Sequence, residues 1–257
     1  MAIHPTAVIF PGAELDPTVE VGPFAVVGPQ VRIGARTRIG AHAVIEGDTT
    51  LGADNHVFQH ACLGAIPQDL KYAGEPTKLV IGDHNRIREF ATVHLGTAQG
   101  GGVTRVGSSC LLMANSHVAH DCQVGDFVVL AGSSALAGHV LVEDHVNFGG
   151  LAGVHQFARI GRHAFISGGS MVAMDIPPYC TAQGDRAQLA GLNTVGLTRA
   201  GFTPDAVSRI KAAYKMVFRS GLGLREALAR VNAEFAGNPE IDHFVRFIEN
   251  SERGIAR

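Results

Sequence analysis

The chain has 257 residues, a formal net charge of −2 and 46% hydrophobic residues, so it can bury a sizeable core. The near-neutral charge gives no basis for binding nucleic acid or an anionic membrane surface. Aromatic residues make up only 6% of the chain and Trp is missing, whereas there are 32 glycines. Such a composition favours a core of small and branched side chains.

The N-terminal segment, MAIHPTAVIF, lacks the basic start and the long apolar run of a signal peptide. No stretch approaches the roughly 18 consecutive apolar residues that cross a bilayer. The cysteines form no CxxC motif, which predicts buried thiols in a reducing compartment. They are Cys62, Cys110, Cys122 and Cys180. We therefore expect a soluble, cytoplasmic protein without stable membrane insertion.

An aliphatic residue recurs at every sixth position from Ile3 to Val172, with two interruptions, and only Phe148 departs from Val, Ile or Leu. This register predicts a parallel β-helix. Each hexad would form one short strand and a turn, and three hexads would close a coil of 18 residues, with coils about 4.8 Å apart. The pattern resembles that of the hexapeptide-repeat family, which implies a left-handed coil, against the usual right-handed crossover rule.

Glycine often follows the recurring aliphatic residue directly. The glycines are Gly22, Gly28, Gly34, Gly40, Gly52 and Gly161. Because glycine tolerates backbone angles that other residues avoid, we expect an unusual φ at these turns.

Two insertions interrupt the array at residues 65–78, AIPQDLKYAGEPTK, and at residues 96–105, GTAQGGGVTR. A coil can eject a loop at a corner without losing its stack, so both loops are free to carry function. The first loop is either decoration or part of a site.

The array should end at residues 176–179, IPPY, and helices should follow. Thr203 and Pro204 are typical of an N-cap and a first helical residue. A second helix is predicted over residues 224–235 and a third from about Pro239. We thus expect a β-helical domain over residues 1–180 and a helical domain over residues 181–257.

The predicted helical region is rich in basic side chains from Arg199 to Arg225, with Asp205 the single acid in this stretch. The basic residues are Arg199, Arg209, Lys211, Lys215, Arg219 and Arg225. They form either a solvated helix face or a docking surface for an acidic partner.

Counting in steps of 18 places His120 beside Gly138, and Gly138 beside Gln156, on one wall. Further polar residues should converge on the same stripe, namely His117, Asp121, His139 and His155. In one interpretation, His120 is a general base, Asp121 orients its ring, and the Gly138 N–H faces a developing oxyanion, as acyl transfer requires. In another, three imidazoles bind zinc. A third treats the histidines as surface decoration.

Several segments resemble UDP-N-acetylglucosamine acyltransferases over essentially the whole chain. They are HVAHDC (residues 117–122), QDLKYAGEPT (68–77), TAQGGGVTRVG (97–107), LAGHV (136–140), VHQF (154–157) and IPPY. The resemblance implies transfer of a 3-hydroxyacyl group from acyl carrier protein to the 3-position of UDP-N-acetylglucosamine, the first step of lipid A biosynthesis. It also implies a homotrimer with sites between subunits, and no cofactor, metal or covalent enzyme intermediate.

The resemblance assigns a role to each site residue. His120 matches the family's base, Gly138 its oxyanion donor, and Gly168 the region that limits acyl length. The residues implied in binding the nucleotide sugar are Asp69, Lys71, His117, His139, His155, Gln156, Asn193 and Arg199. The chain departs from the family pattern at Arg186, Val195 and Ala200, near the nucleotide end.

Other functions stay open at this point. A sister enzyme N-acylates a glucosamine amine, but it normally carries an extra N-terminal domain, whereas the hexads here begin at Ile3. A 3-amino analogue of the nucleotide sugar is an alternative acceptor. A zinc-dependent β-helix enzyme of the carbonic anhydrase type and a scaffold without catalysis are further alternatives.

Overall fold

A computed structural model describes residues 2–257, and most of its strands are two residues long. They form three sheets that are parallel except for one terminal hairpin, and each coil contributes one strand to each sheet. The register of 18 is confirmed where the coils are uninterrupted, since His117 pairs with Ala135 and Ala135 with Gly153. The chain therefore winds as the predicted left-handed parallel β-helix.

The strands of the first sheet are Ala2–Ile3, Glu20–Val21, Arg38–Ile39, His56–Val57, Arg86–Ile87, Leu111–Leu112, Val129–Leu130, Asn147–Phe148, Phe165–Ile166, Cys180–Gln183 and Gln188–Leu192. Those of the second are Val8–Ile9, Val26–Val27, Val44–Ile45, Cys62–Ala65, Thr92–His94, His117–Val118, Ala135–Leu136, Gly153–Val154 and Met171–Val172. Those of the third are Glu14–Leu15, Arg32–Ile33, Asp48–Leu51, Lys78–Ile81, Val103–Val106, Gln123–Val124, Leu141–Val142 and Arg159–Ile160.

The recurring aliphatic side chains fill the coil interior. Leu63, Leu112, Leu130 and Leu136 are fully buried, whereas Ile3 in the first coil is 36% exposed because no coil lies below it. Truncating one of the buried leucines to alanine would cost about 2–5 kcal/mol. The core is thus a continuous column, and its rigidity fixes the outward-facing side chains that alternate with it.

The glycines that follow the aliphatic residues do not adopt positive φ, so that expectation was wrong. Left-handed φ occurs two residues later, at non-glycine residues such as Phe24 and His42. A Cβ at Gly34 or Gly40 would lie 2.7 Å from a backbone atom of the next coil. Glycine stands there because neighbouring coils approach too closely for a side chain.

The two insertions leave the coil at the corner between the second and third sheets. Residues 66–77 lie between strands and form none of their own. The second insertion contains a short 3-10 helix, Ala98–Gly100, and its last residues already belong to the strand Val103–Val106. Because Lys78 pairs with Val103, the second ejected segment is shorter than the predicted loop.

The strand ladder continues one step beyond residues 176–179. Cys180–Gln183 pairs parallel with Phe165–Ile166 and then antiparallel with Gln188–Leu192. Four helices follow, namely α1 (Thr194–Arg199), α2 (Pro204–Arg219), α3 (Leu224–Glu234) and α4 (Pro239–Glu249). Helix α1 was not predicted, whereas Thr203 caps α2 as expected by accepting from the Ala206 N–H.

The end of the chain folds back on the last coil. The buried Asp175 carboxylate accepts from the Arg159 N–H at 2.8 Å and from the Ser251 hydroxyl at 2.7 Å. Within residues 2–257, none of the helices is both long and apolar enough to cross a membrane. The division into domains at residue 180, like the cytoplasmic location, stays a prediction.

Candidate functional site

His120 and Asp121 form a hydrogen-bonded pair at a corner of the β-helix. They follow the strand His117–Val118 after one residue, Ala119, and Asp121 adopts a left-handed φ of 61°. This turn brings His120 Nδ1 to 2.8 Å from Asp121 Oδ2. Since an ionised carboxylate only accepts hydrogen bonds, His120 Nδ1 is the donor in this pair and Nε2 is the ring nitrogen that the pair leaves free.

The Asp121 side chain is fully buried, while that of His120 is 12% exposed. Thr97 donates to the carboxylate from its backbone N–H (2.8 Å to Oδ1) and from its hydroxyl (2.7 Å to Oδ2). The Asp121 N–H in turn donates to the buried Thr104 hydroxyl at 2.8 Å. Because these hydrogen bonds satisfy the buried acid, it can hold the imidazole in one orientation.

Gly138 lies against the His120 ring. A Cβ built at Gly138 would stand 2.6 Å from His120 Nε2, so any side chain here would displace the imidazole. In the described part of the chain, the Gly138 N–H has no backbone acceptor, whereas the next residue's N–H donates to the His120 carbonyl at 3.0 Å. The residue that lies against the His120 ring thus has a backbone N–H without a backbone acceptor in this part of the chain.

Three further histidines surround this pair. His117 Nδ1 lies 2.7 Å from the Thr92 hydroxyl, and burial lowers the pKa of His117. The His139 ring meets His120 edge-on at 5.0 Å. Burial lowers the pKa of His139, although the charge of Asp121 partly opposes this. His155 Nδ1 accepts from Arg253 at 2.8 Å.

A cavity of about 610 Å³ opens beside the pair. Among the predicted site residues, it is lined by His117, His120, Gly138, His155 and Gln156. Sequence reasoning missed four other lining residues or noted them only in passing, namely Gln68, Met171, Ala173 and Arg186. Gln68 lies beside the quoted loop motif and Arg186 was noted as a departure. Met171 and Ala173 flank the last recurring aliphatic position, which is the signal that could have found them.

Asn193, Arg199 and Gly168 lie away from this cavity, whereas Asp69 and Lys71 are on the loop that brings Gln68 to it, and the Asp69 charge acts to raise the pKa of His139. Asn193 and Arg199 line a second cavity of about 610 Å³, walled by His145, His163 and Phe165. Asp69 and Lys71 lie on the first loop, where Asp69 Oδ1 accepts from the Lys71 N–H at 2.9 Å. Gly168 stands at another corner, and a Cβ there would meet the Gly150 carbonyl oxygen at 3.3 Å. One protomer therefore does not bring all these residues together.

His94 is a member of the histidine cluster that sequence reasoning missed. It is only 5% exposed, its ring lies 4.9 Å from that of His117, and its Nδ1 is buried without a hydrogen-bond partner in the described residues. Burial lowers its pKa to about 4, with the charges of His117 and His120 acting in the same direction. His94 therefore stays neutral at physiological pH.

His120, Asp121 and His139 also form a group with metal-binding atoms within 4.8 Å of one another. However, Asp121 Oδ2 already accepts from the Thr97 hydroxyl and from His120 Nδ1. A metal at this oxygen would displace both donors and occupy the imidazole nitrogen that orients the ring. The donor set therefore fits a hydrogen-bonded base better than a zinc centre.

Comparisons with known proteins find matches to transferase families in both the β-helical and the helical part of the chain. A family described as UDP N-acetylglucosamine O-acyltransferase, domain 2, matches residues 175–256, and six bacterial transferase hexapeptide repeats match residues 12–47. Proteins named acyl-(acyl-carrier-protein)–UDP-N-acetylglucosamine O-acyltransferase are 62% identical in Anaeromyxobacter sp. (100% of both chains) and in Myxococcus xanthus (99% of both).

Solved structures give the same result. UDP-N-acetylglucosamine O-acyltransferase from Moraxella catarrhalis is 45% identical with a TM-score of 0.97, and 100% of both chains is covered. UDP-N-acetylglucosamine acyltransferase from Francisella novicida is 39% identical with a TM-score of 0.95, covering 99% of this chain and 94% of the other. The chain therefore belongs to the family of acyl-(acyl-carrier-protein)–UDP-N-acetylglucosamine O-acyltransferases.

Proposed function

We propose that this protein transfers a 3-hydroxyacyl group from acyl carrier protein to the 3-hydroxyl of UDP-N-acetylglucosamine, in lipid A biosynthesis. The observation that carries the proposal is the His120 ring, held by Asp121 and facing Gly138 beside a cavity. The O-acyltransferase names of the relatives favour a hydroxyl over an amino acceptor.

In the proposed mechanism, His120 Nε2 takes the proton of the sugar hydroxyl while its oxygen attacks the thioester carbonyl. The Gly138 N–H stabilises the negative charge that develops on the carbonyl oxygen. The tetrahedral intermediate then collapses, the C–S bond breaks, and the imidazolium returns the proton to the leaving thiolate of the carrier. Asp121 keeps Nδ1 protonated and stabilises the imidazolium, so it orients the base without accepting the proton.

The other cavity residues would position the acceptor. His117 is held by Thr92 and favours its neutral form, so it can hydrogen-bond to a sugar hydroxyl. His155 is oriented by Arg253, and Gln156 follows it at the rim of the same cavity. We assign the same function to His139, whose ring stacks on Phe157 at 4.4 Å.

We propose a homotrimer in which each site lies between two subunits. Asn193 and Arg199 line a cavity separate from that of His120. If they bind the uridine and phosphate end of the substrate, a second copy must bring its second cavity to face the first. The first loop, with Asp69 and Lys71, would then contact the sugar and its phosphates, and Gly168 would limit the acyl chain.

The acyl carrier protein would dock on the basic residues of α2 and α3. Lys211, Lys215 and Arg219 are exposed on α2, and Arg225 is the second residue of α3. Arg209, by contrast, is already paired with Asp205. A cationic surface accelerates encounter with an acidic partner, so the transfer rate at low donor concentration should fall with salt. No cofactor is needed in this mechanism, because the chain supplies the base, its orienting acid and the oxyanion donor.

The proposal is tested by incubating purified protein with 3-hydroxyacyl carrier protein and UDP-N-acetylglucosamine, with mass spectrometry of the products. We expect a nucleotide sugar heavier by one hydroxyacyl group. His120→Ala should abolish the product, whereas His4→Ala, which removes an exposed imidazole from the first coil, should leave it unchanged. Failure of the wild-type protein to form product, or near-wild-type activity in His120→Ala, would overturn the proposal.

A further inference from the structure

The ejected segment that begins at Gly96 packs its first residues against the acid that orients His120. Thr97 is only 3% exposed and directs two donors at Asp121, one to each carboxylate oxygen. With both oxygens engaged, the carboxylate cannot rotate about its Cβ–Cγ bond without breaking at least one hydrogen bond. The position of the oxygen that faces His120 is therefore set by the loop.

The direction of the hydrogen bonds is also fixed. The Gly100 N–H donates to the Thr97 hydroxyl oxygen at 3.2 Å, so the single hydroxyl proton is left to point at Asp121 Oδ2. The same Oδ2 accepts from His120 Nδ1 at 2.8 Å. A continuous chain of donors thus runs from Gly100 through Thr97 to the carboxylate that holds the base.

The run of glycines in this segment has a local explanation. A Cβ at Gly100 would overlap the carboxyl group of Asp121, so glycine permits the close approach of the loop. Gly101 and Gly102 adopt φ of 92° and 78°, the left-handed region in which glycine is favoured, and they return the chain to the strand at Val103. The glycines therefore allow the segment to pack closely enough for Thr97 to hydrogen-bond to Asp121.

We propose that Thr97 is a positioning residue for the acyl transfer, a role that rests on the function proposed above. Its hydroxyl and backbone N–H hold Asp121 so that His120 is kept as the Nδ1–H tautomer, with Nε2 free to take a proton. In metal sites, the partners that orient a ligand commonly contribute about 10- to 100-fold to activity, and we expect an effect of the same size here. The second insertion is thereby part of the catalytic apparatus.

The test compares Thr97→Val, which removes the hydroxyl at nearly constant shape, with Thr97→Ser, which retains it. Thr97→Val should lower kcat about 10- to 100-fold with a KM for UDP-N-acetylglucosamine within about twofold of wild type, and Thr97→Ser should restore most of kcat. The matched control is Thr49→Val. Thr49 is also fully buried, and its hydroxyl donates to the Glu46 carbonyl at 2.6 Å, away from the cavity.

A second readout does not need turnover. NMR of histidine-labelled protein should show His120 as the Nδ1–H tautomer in the wild type and in Thr97→Ser, and a mixture of tautomers in Thr97→Val. The proposal is overturned if Thr97→Val and Thr97→Ser behave alike, or if Thr49→Val lowers kcat as much as Thr97→Val. If the wild-type protein forms no product, the proposed function fails, and the tautomer measurement still decides the role of Thr97.

Discussion

Replacing Gly138 with alanine tests whether catalysis depends on the space that this glycine leaves for His120. The added Cβ would lie 2.5 Å from Cε1 and 2.6 Å from Nε2, whereas ordinary van der Waals contact begins at 3.4 Å. The ring must therefore retreat by about 0.9 Å, the difference between 3.4 and 2.5 Å. Such a shift would also stretch the hydrogen bond of 2.8 Å to Asp121.

Misplacing a reacting group by about 1 Å can cost about 100-fold in rate, and a general base contributes about 10²- to 10⁴-fold in total. We therefore expect Gly138→Ala to lower kcat at least about 100-fold. Gly138 is not among the glycines with positive φ, so alanine introduces no backbone strain and the fold should survive.

Initial rates of product formation by mass spectrometry, at saturating donor and acceptor, measure the effect, and circular dichroism checks the fold. The matched control is Gly132→Ala. Gly132 occupies the same turn position in the preceding hexad, and its Cβ would meet only the Ala114 carbonyl oxygen at 3.6 Å. The kcat of this control variant should stay close to that of the wild type. If Gly138→Ala retained more than half of the wild-type kcat, His120 would not need the position in which it is found.

Lys71→Ala should raise KM for UDP-N-acetylglucosamine about 10-fold with little change in kcat, because an exposed cation on the first loop is lost. An unchanged KM in substrate titrations would mean that Lys71 does not bind this substrate. Gly168→Met should shorten the preferred acyl chain, since the space beside the Gly150 carbonyl is already tight. Competition between donors of different length measures this, and unaltered selectivity would mean that other residues limit the acyl length. Between pH 6.5 and about 4, the free energy of unfolding should fall as pH falls, because the buried, neutral His94 takes up its proton only on unfolding. His94 alone should contribute up to about 1.4 kcal/mol per pH unit to this slope, and denaturant titrations of His94→Asn should find the total slope flatter than in the wild type; an equal slope would contradict the assignment.

The six-residue period of aliphatic residues was enough to predict the β-helix and the contact between His120 and Gly138. Because coils without insertions repeat every 18 residues, counting alone places Gly138 beside His120, as observed. The same counting fails across an insertion. Thr92 pairs with His117, 25 residues later, and Thr97 meets Asp121 across 24 residues, so neither Thr97 nor His94 could be placed beside the pair.

The meaning of the glycines could not be determined from the sequence either. Glycine is favoured where φ is positive and is required where another backbone comes too close, and the two cases look identical in a sequence. At Gly34 a neighbouring backbone comes too close, while the left-handed turn position two residues later is occupied by Arg36. Only the distance between neighbouring coils, which depends on the stacked structure, separates the two cases.

The contrast between two aspartates shows what the second insertion adds to a repetitive fold. Asp54 and Asp121 occupy the same left-handed turn position, with φ of 59° and 61°. Asp54 keeps a side chain that is 26% exposed and pairs with the exposed Arg36, as a surface acid of a bare coil does. The Asp121 side chain is fully buried, because the segment from Gly96 covers it and Thr97 supplies the donors that water would otherwise provide. Burial strengthens the interaction of Asp121 with a charged imidazole beyond what an exposed turn could offer. The hexads thus supply the rigid wall on which His120 and Gly138 lie against each other, and the interruption of the hexads buries the acid that orients this histidine.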